Sequence, residues 1–238
     1  MTTTPLDNFK RSLGAAAKAI SGEPELEVSF GGDVAGLVRD QMMLPSLPPK
    51  PKPELIAKAR GEADALALRL ALHDKALHTK NMPKSGPARQ VFEAMEQARV
   101  EALGGQHLSG LGDNLMAALD ARALKRGFDS PDIAKDDTSF AEAVGLYARE
   151  QLTGRPLPKS TDGIMGAWRE EIALKAAERF EDLKSALADQ DAFGKFVQDL
   201  IADFELGDEM SDPQEEDDQD DESKDCLLYT SPSPRDRG

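Results

Sequence analysis

The three histidines of this 238-residue chain, His73, His78 and His107, are the first candidates for chemistry. Two of them lie five residues apart in the run LHDKALH, with Asp74 directly after the first. On a helix, Asp74 and His78 share a face, whereas His73 points about 100° away with the leucines. A zinc-binding helix places two histidines at positions i and i+4, usually with a glutamate between them. The spacing is a poor match, so the sequence predicts neither a metal ligand nor a catalytic residue here.

A histidine–aspartate pair also lies at the centre of HD-type phosphohydrolases, where it binds a divalent metal ion with further histidines and aspartates from other helices. Only His107 remains outside the LHDKALH run. A metal-dependent phosphohydrolase is therefore kept as a minor alternative. The main interpretation is that His73 is a partly buried core residue and that Asp74 and His78 form a helical pair.

A second group of charged residues lies in the run VFEAMEQARVEALG. Glu96 and Arg99 are three residues apart and are expected to pair across one helical turn, which stabilises a helix by about 0.2–0.5 kcal/mol. The sequence offers no glycine-rich phosphate loop, no serine nucleophile elbow and no paired-carboxylate site. We interpret six positions as structural polar groups or as contacts for a partner: Asp74, His78, Glu96, Arg99, Glu101 and Arg155.

Helices are predicted to position these residues, because apolar residues recur at steps of three and four along most of the chain. Residues 4–21 form the first predicted helix, and Gly22 ends it. From Glu54 to residue 204 the pattern is helical throughout. Within this part, Gly104-Gly105 is predicted to end the helix that carries Glu96 and Arg99.

A short β segment lies between the first helix and the rest. The run ELEVSF alternates, with Leu26, Val28 and Phe30 on one side, and Gln41 to Leu44 is a plausible returning strand. The sequence therefore predicts a β-hairpin at about residues 25–44. The proline-rich run PSLPPKPKP at 45–53 is expected to be extended. The predicted fold class is mainly α, a helical domain over residues 1–204 with a small N-terminal β-hairpin.

The acidity of the chain is concentrated in one segment. Of the formal net charge of −15, the twelve acidic residues and one lysine at 205–225 contribute −11, and residues 226–238 add +1, which leaves −5 for residues 1–204. A mildly acidic body does not indicate a nucleic-acid partner, which requires a clustered basic face. Residues 205–225 are predicted to be a disordered acidic linker. The sequence contains no membrane-spanning run and no signal peptide, and we expect a cytoplasmic protein.

Residues 226–238, CLLYTSPSPRDRG, differ abruptly from the acidic run before them. This segment resembles the translation of a transposon end sequence that is used in preparing DNA libraries. Such a processing scar is set aside before the fold is considered. We therefore expect that the natural chain is cut near Asp225 and that this is an N-terminal fragment. The single cysteine, Cys226, falls in the scar, so the body has no disulfide, no thiolate nucleophile and no cysteine zinc site.

The order of the segments resembles a known family. The order is ELEVSF, the proline-rich break, ALRLALHDKALH, ARQVFEAMEQARVEALG, DNL at 113–115, REQLTGRPLPKS at 149–160 and a Trp-Arg helix. This is similar to the N-terminal region of the CobT-type subunit of aerobic, ATP-dependent cobaltochelatase over nearly all of residues 6–204, and EQARVEALG and REQLTGRPLP are the more specific stretches. In that family an acidic linker leads to a C-terminal von Willebrand factor A domain, which is expected to be absent here.

The resemblance implies a non-catalytic coupling subunit of a cytoplasmic ligase that forms nitrogen–metal bonds. An AAA+ ATPase subunit and a large tetrapyrrole-binding subunit are its implied partners, in a ring-shaped hetero-oligomer. The complex would use ATP and magnesium to insert cobalt(II) into hydrogenobyrinic acid a,c-diamide during cobalamin biosynthesis. This segment is expected to bind none of these cofactors itself. An acidic-tailed, chaperone-like binding protein remains a second alternative, which depends on the acidic tract alone.

Overall fold

The computed structural model describes residues 4–38, 41–107, 110–176 and 178–206. Within these ranges it contains nine α-helices and one small sheet, so the predicted mainly α class with a β element near the N-terminus is confirmed. Residues 207–238 lie outside the described residues. They include nearly all of the acidic linker predicted at 205–225 and the whole segment 226–238. The helices are α1 Pro5–Ser21, α2 Pro53–Leu72, α3 Lys75–Asn81, α4 Gly86–His107, α5 Leu111–Arg126, α6 Asp137–Thr153, α7 Asp162–Ala176, α8 Arg179–Ser185 and α9 Gln190–Asp203.

The described chain divides into two compact units, and the helical domain over residues 1–204 stays a prediction. Of the described residues, 4–71 and 110–122 belong to unit 1, and 72–107 and 123–206 belong to unit 2. Unit 1 therefore contains α1, the sheet and nearly all of α2. Unit 2 contains α3, α4 and α6 to α9.

The first helix begins and ends as the sequence predicts. Thr4 is its N-cap and forms a capping box with Asp7: the Thr4 hydroxyl accepts a hydrogen bond from the Asp7 amide, and the Asp7 carboxylate accepts one from the Thr4 amide. At the other end Gly22 has a φ of 74°, in the left-handed region that glycine adopts without steric cost. Leu13 and Ala17 of this helix are buried in the core of unit 1.

The sheet has three strands, β1 Glu27–Gly32, β2 Gly36–Val38 and β3 Gln41–Pro45, in the order β1–β3–β2. The predicted hairpin pairing is wrong in its direction, because β3 runs parallel to β1 and antiparallel to the short strand β2. The extra strand β2 reverses the chain, and β3 can then lie alongside β1 in the same direction. The predicted alternation along β1 is present, since Val28 and Phe30 are half-buried while Glu27 and Ser29 are exposed.

The core of unit 1 is built from α1, the sheet and α2. Eleven buried apolar residues form one cluster, among them Leu13, Met42, Leu44 and Leu66. Helices α2 and α5 approach closely at Gly61, where an added Cβ would lie 1.9 Å from the Asn114 carbonyl oxygen. Only glycine fits at this crossing.

Unit 2 is organised around α4. This helix packs against α6 and α9, and α6 packs against α7 and α8. Three edge-to-face ring contacts complete the core: Phe140 meets Trp168 and Phe204 at 5.0 Å between ring centroids, and Tyr147 meets Phe180 at 5.1 Å. The helices α4 and α6 approach closely at Gly145, where an added Cβ would lie 2.9 Å from Ala94 Cβ.

The predicted end of α4 at Gly104-Gly105 is wrong, because the helix continues through both glycines to His107. Neither glycine has a positive φ, so neither acts as a left-handed C-cap. Ala98, Val100 and Ala102 are all almost completely buried. Packing along this part of the helix outweighs the roughly 1 kcal/mol that a glycine costs inside a helix.

Among the described residues, no helix is both long enough and apolar enough to cross a membrane.

Candidate functional site

The LHDKALH run forms a sharp break between two helices. Helix α2 ends at Leu72, and Asp74 is the N-cap of α3 with extended backbone angles. Its Oδ1 accepts hydrogen bonds from the amides of Ala76, at 2.8 Å, and Leu77, at 3.0 Å. The expected side-chain pair of Asp74 with His78 is therefore replaced by a helix cap, because Asp74 lies before the helix and not within it.

Both histidines of this run face glutamates of α4. His73 Nδ1 lies 2.8 Å from Glu96 Oε1, and His78 Nε2 lies 2.6 Å from Glu93 Oε1. The two imidazole side chains are 7% and 8% exposed, and their rings meet edge to face with centroids 4.6 Å apart. The interpretation of His73 as a partly buried residue agrees with this arrangement. Each histidine thus ties the α2–α3 break to the side of α4.

Arg99 lies at the centre of this arrangement with only 2% of its surface exposed. Its Nε and Nη2 donate to the two oxygens of Glu96 at 2.7 and 2.9 Å, which is a bidentate ion pair. Two further hydrogen bonds go to main-chain carbonyls: Nη2 donates to Leu72, at 2.6 Å, and Nη1 donates to Leu187, at 3.1 Å. One guanidinium thus joins the end of α2, the loop before α9 and α4.

The carboxyl group of Glu96 is held in its ionised form. Burial opposes the charge, but the hydrogen bonds from Arg99 and His73 outweigh burial and lower the pKa of Glu96 below its ordinary value. Three-residue spacing predicts a weak surface pair between Glu96 and Arg99, but both side chains are buried. Removing one partner of a buried pair leaves an uncompensated charge, which costs several times more than breaking a surface pair.

Gln190, the first residue of α9, completes the network. Its Oε1 accepts from the Asp74 amide at 2.7 Å, its Nε2 donates to the Asp74 carbonyl at 2.9 Å, and Arg99 Nη2 reaches the same Oε1 at 3.2 Å. The side-chain amide of Gln190 thus bonds both the N–H and the C=O of Asp74, as a neighbouring β-strand would, and links the start of α3 to the start of α9. A narrow crevice beside it is lined by both apolar and polar side chains, among them Leu77, Phe92, His78 and Glu96.

A second buried network joins α4 to α6. Arg149 Nε and Nη2 donate to the two oxygens of Glu101 at 2.8 and 3.1 Å. Gln97 Nε2 donates to Glu101 Oε1 at 2.7 Å, and Arg149 Nη1 donates to the Gly145 carbonyl at 3.2 Å. Glu101 and Arg149 are each 8% exposed. The carboxylate is therefore enclosed by three donors.

The six positions singled out from the sequence fall into two groups. Glu96, Arg99, Glu101 and His78 have buried side chains and contact neighbouring elements of unit 2. Asp74 and Arg155 are exposed, Asp74 as the cap of α3 and Arg155 just after α6. No group of three or more His, Cys, Asp or Glu residues suited to hold a metal ion occurs within the described ranges.

Sequence reasoning missed Arg149, Gln97 and Gln190. The signal for Arg149 was available: it follows six consecutive apolar residues, AVGLYA at 143–148, and a helix that is apolar all round is buried all round. Gln190 gave no such signal, because its role depends on where α9 begins relative to α3.

The chain was compared with known protein families and with solved structures. Residues 3–227 match the family described as "Cobalamin biosynthesis protein CobT". The chain belongs to the CobT family. No solved structure matches the chain.

Within this CobT-family chain, the two stretches that carry the resemblance meet in the buried network. Glu101 lies in EQARVEALG and Arg149 in REQLTGRPLP. The ion pair between them belongs to the packing of α4 on α6. The charged residues Glu101 and Arg149, which lie in the two stretches most specific to the family resemblance, thus hold α4 and α6 together within unit 2.

Proposed function

We propose that this chain is a non-catalytic coupling subunit of an ATP-dependent cobaltochelatase. The complex inserts cobalt(II) into hydrogenobyrinic acid a,c-diamide in aerobic cobalamin biosynthesis, with cobalt as a substrate. An AAA+ ATPase subunit supplies the energy, and a large subunit binds the tetrapyrrole. The chain acts in the cytoplasm within a ring-shaped hetero-oligomer, by contacting these partners.

The observation that carries this proposal is the CobT-family match over residues 3–227. A role in cobalamin biosynthesis follows from the family, whereas the coupling role is the inference made here. One property of the body supports it. The charged groups most suited to chemistry are committed to internal contacts, since Glu96 binds Arg99 and His73, and Glu101 binds Arg149. The outer surface is then the part of the body that a partner can use.

The phosphohydrolase alternative receives no support from the LHDKALH run. A metal site of that kind needs the histidine and the aspartate to converge on one ion. Here Asp74 Oδ1 caps α3 through two backbone amides, while His73 Nδ1 faces Glu96. The alternative of an acidic-tailed binding protein rests on residues outside the described ranges.

The test separates binding from activity. The purified chain is mixed with the AAA+ subunit, with and without ATP, and the mixture is resolved by size-exclusion chromatography. Cobalt insertion into the tetrapyrrole is measured in parallel, with a reconstituted three-subunit cobaltochelatase as positive control. We expect co-elution with the AAA+ subunit and no cobalt insertion by the chain alone. Absence of co-elution in every nucleotide state, or cobalt insertion by the chain alone, would refute the proposed role.

A further inference from the structure

The end of the described body is tied to the beginning of α4. The carbonyl of Leu206 accepts a hydrogen bond of 2.9 Å from the hydroxyl of Ser85, which lies directly before α4. The Ser85 hydroxyl also accepts a hydrogen bond of 3.3 Å from the Ala88 amide, so Ser85 caps the first turn of the helix. Leu206, the last residue of the final described range, therefore lies beside the N-terminus of α4.

This end of α4 is positively charged. Lys84 and Arg89 are exposed, and Arg89 Nε donates to the Pro83 carbonyl at 2.9 Å, which holds the guanidinium against the loop that carries Lys84. Within the described part of the chain neither side chain has an ion-pair partner, whereas nearby Lys80 is paired with Asp191. We call Lys84, Arg89 and the first turn of α4 the α4 basic patch.

The helix itself adds to this charge. The N-terminus of an α-helix carries a partial positive charge of about half a unit, and acidic residues in the first turn commonly offset it. The first turn of α4 contains no acidic residue, although α4 has 22 residues. The α4 basic patch is thus suited to an acidic segment of chain.

Residues 207–216 have the complementary composition. Their sequence, GDEMSDPQEE, contains five acidic residues and no lysine or arginine. An extended chain covers about 3.3–3.6 Å per residue. Leu206 contacts Ser85, the residue after Lys84, so ten residues that follow Leu206 are long enough to contact the α4 basic patch. Tethering at this distance gives an effective concentration on the order of millimolar or above.

We propose that residues 207–216 bind the α4 basic patch of the same chain through charge-assisted contacts. The binding fixes where the acidic segment leaves unit 2, and it weakens as salt screens the charges. The proposal goes beyond the coupling role and does not depend on it. A partner's acidic peptide on the same patch is the competing occupant, and the experiment distinguishes the two.

The experiment uses the whole chain and a probe peptide. The probe is a synthetic peptide of residues 207–216 with both ends blocked. It is titrated into two ¹⁵N-labelled chains, the parent and a variant whose own segment is neutralised by D208N, E209Q, D212N, E215Q and E216Q. Binding is followed by the shifts of the backbone amides of Gly86 and Arg89. We expect the neutralised chain to bind the peptide several-fold more tightly than the parent, because the parent's own segment competes.

Charge reversal provides the control. In the neutralised chain, Lys84→Glu should abolish the peptide-induced shifts, while the other amide signals remain those of a folded protein. The double variant Lys84→Glu with Arg89→Glu should have the same effect. The matched reversal Lys50→Glu with Lys52→Glu, at two exposed lysines elsewhere, should leave the shifts unchanged. Added sodium chloride should weaken binding in the parent and the neutralised chain.

Three results would overturn the proposal. The first is the absence of peptide-induced shifts in the neutralised chain. The second is equal binding by the parent and the neutralised chain, which would leave the patch open for a partner's acidic peptide. The third is binding that survives Lys84→Glu.

Discussion

Glu101 of α4 and Arg149 of α6, 48 residues apart in the sequence, form a bidentate ion pair whose two hydrogen bonds measure 2.8 and 3.1 Å. Both side chains are almost fully enclosed, and Gln97 donates a further hydrogen bond of 2.7 Å to the same carboxylate. The pair lies where α4 and α6 pack together, and it connects the two stretches by which the chain resembles its family. It is therefore a structural feature of unit 2.

Breaking this pair on one side should destabilise the chain strongly. Glu101→Met leaves the Arg149 guanidinium buried without its carboxylate, and we expect a loss of about 3–5 kcal/mol in the free energy of unfolding. The double variant Glu101→Met with Arg149→Met removes both charges and should recover much of that loss. Urea unfolding at pH 7 of the parent, both single variants and the double variant measures the coupling.

The control for this cycle is an exposed pair. Lys184 Nζ lies 2.8 Å from Glu181 Oε1, but Glu181 is 78% exposed. Glu181→Gln should change the free energy of unfolding by less than about 0.5 kcal/mol. Comparable losses from Glu181→Gln and Glu101→Met would mean that burial does not set the strength of the α4–α6 pair.

Glu96→Gln should destabilise the chain in a pH-dependent way. The pKa of Glu96 is lower in the folded chain than its ordinary value of 4.5, so the ionised carboxylate stabilises the fold above that pH. This contribution is lost as the pH falls through the folded pKa. The variant should be less stable than the parent at pH 7, and the difference should narrow below pH 4.5. Urea unfolding at a series of pH values measures it.

Asp64→Asn should change the free energy of unfolding at pH 7 in the opposite direction to Glu96→Gln. Burial raises the pKa of Asp64 above its ordinary value of 3.8, although a hydrogen bond of 2.8 Å from Asn114 opposes the shift. The ionised form therefore destabilises the fold at neutral pH, and this penalty disappears as the pH falls through the folded pKa. The variant should be as stable as the parent or more so at pH 7, with an advantage that shrinks on acidification. The same sign for both variants would contradict this explanation.

How far the sequence predicts this fold is shown by α1 and α4. The cap at Thr4 and the stop at Gly22 are local chemistry, so both ends of α1 could be predicted. The end of α4 could not, because packing carries the helix through Gly104 and Gly105. The direction of β3 relative to β1 could not be predicted either. Alternation along a strand indicates which face of the strand is buried, but not which neighbouring strand it pairs with.

The two buried hydrogen-bond networks could not be predicted from the sequence, because they also depend on tertiary packing. On an isolated helix Glu96, Arg99 and Glu101 would all be exposed to solvent, with Glu101 about 140° around the helix from Glu96. The three-residue spacing of Glu96 and Arg99 predicts only a weak surface pair. In unit 2, α4 packs against both α6 and α9, so polar positions on both of these sides are enclosed. Tertiary packing changed the strength of the contact without changing the residues that make it.

Glycine positions give a matched test of packing. At Gly61 an added Cβ would meet the Asn114 carbonyl oxygen at 1.9 Å and Ala118 Cβ at 2.7 Å, so Gly61→Ala should cost about 3 kcal/mol or prevent folding. At Gly166, on α7, no atom lies within 4 Å of the added Cβ. Gly166→Ala should raise stability by about 0.5–1 kcal/mol through helix propensity. Thermal unfolding of both variants checks the contrast, and a tolerated Gly61→Ala would contradict the α2–α5 crossing.

His73→Ala should act on packing and not on a metal. The substitution removes the ring that meets His78 and the contact with Glu96, and we expect a loss of about 1–3 kcal/mol in the free energy of unfolding. Chain purified without added metal should contain no stoichiometric zinc by atomic absorption. Stoichiometric zinc that is lost in His73→Ala would support the phosphohydrolase alternative instead.

We propose that the body of this chain binds a chelatase partner without supplying the chemistry, and a competition assay tests both parts of this proposal. Increasing amounts of the chain are added to a reconstituted three-subunit cobaltochelatase, and the rate of cobalt insertion is measured. We expect the rate to fall as the chain displaces the CobT subunit of the complex, and to recover when more of that subunit is added. A Glu101→Met chain that is unfolded at the assay temperature should not inhibit. A rate of cobalt insertion that stays unchanged or rises with a large excess of the folded parent chain would refute the proposed role.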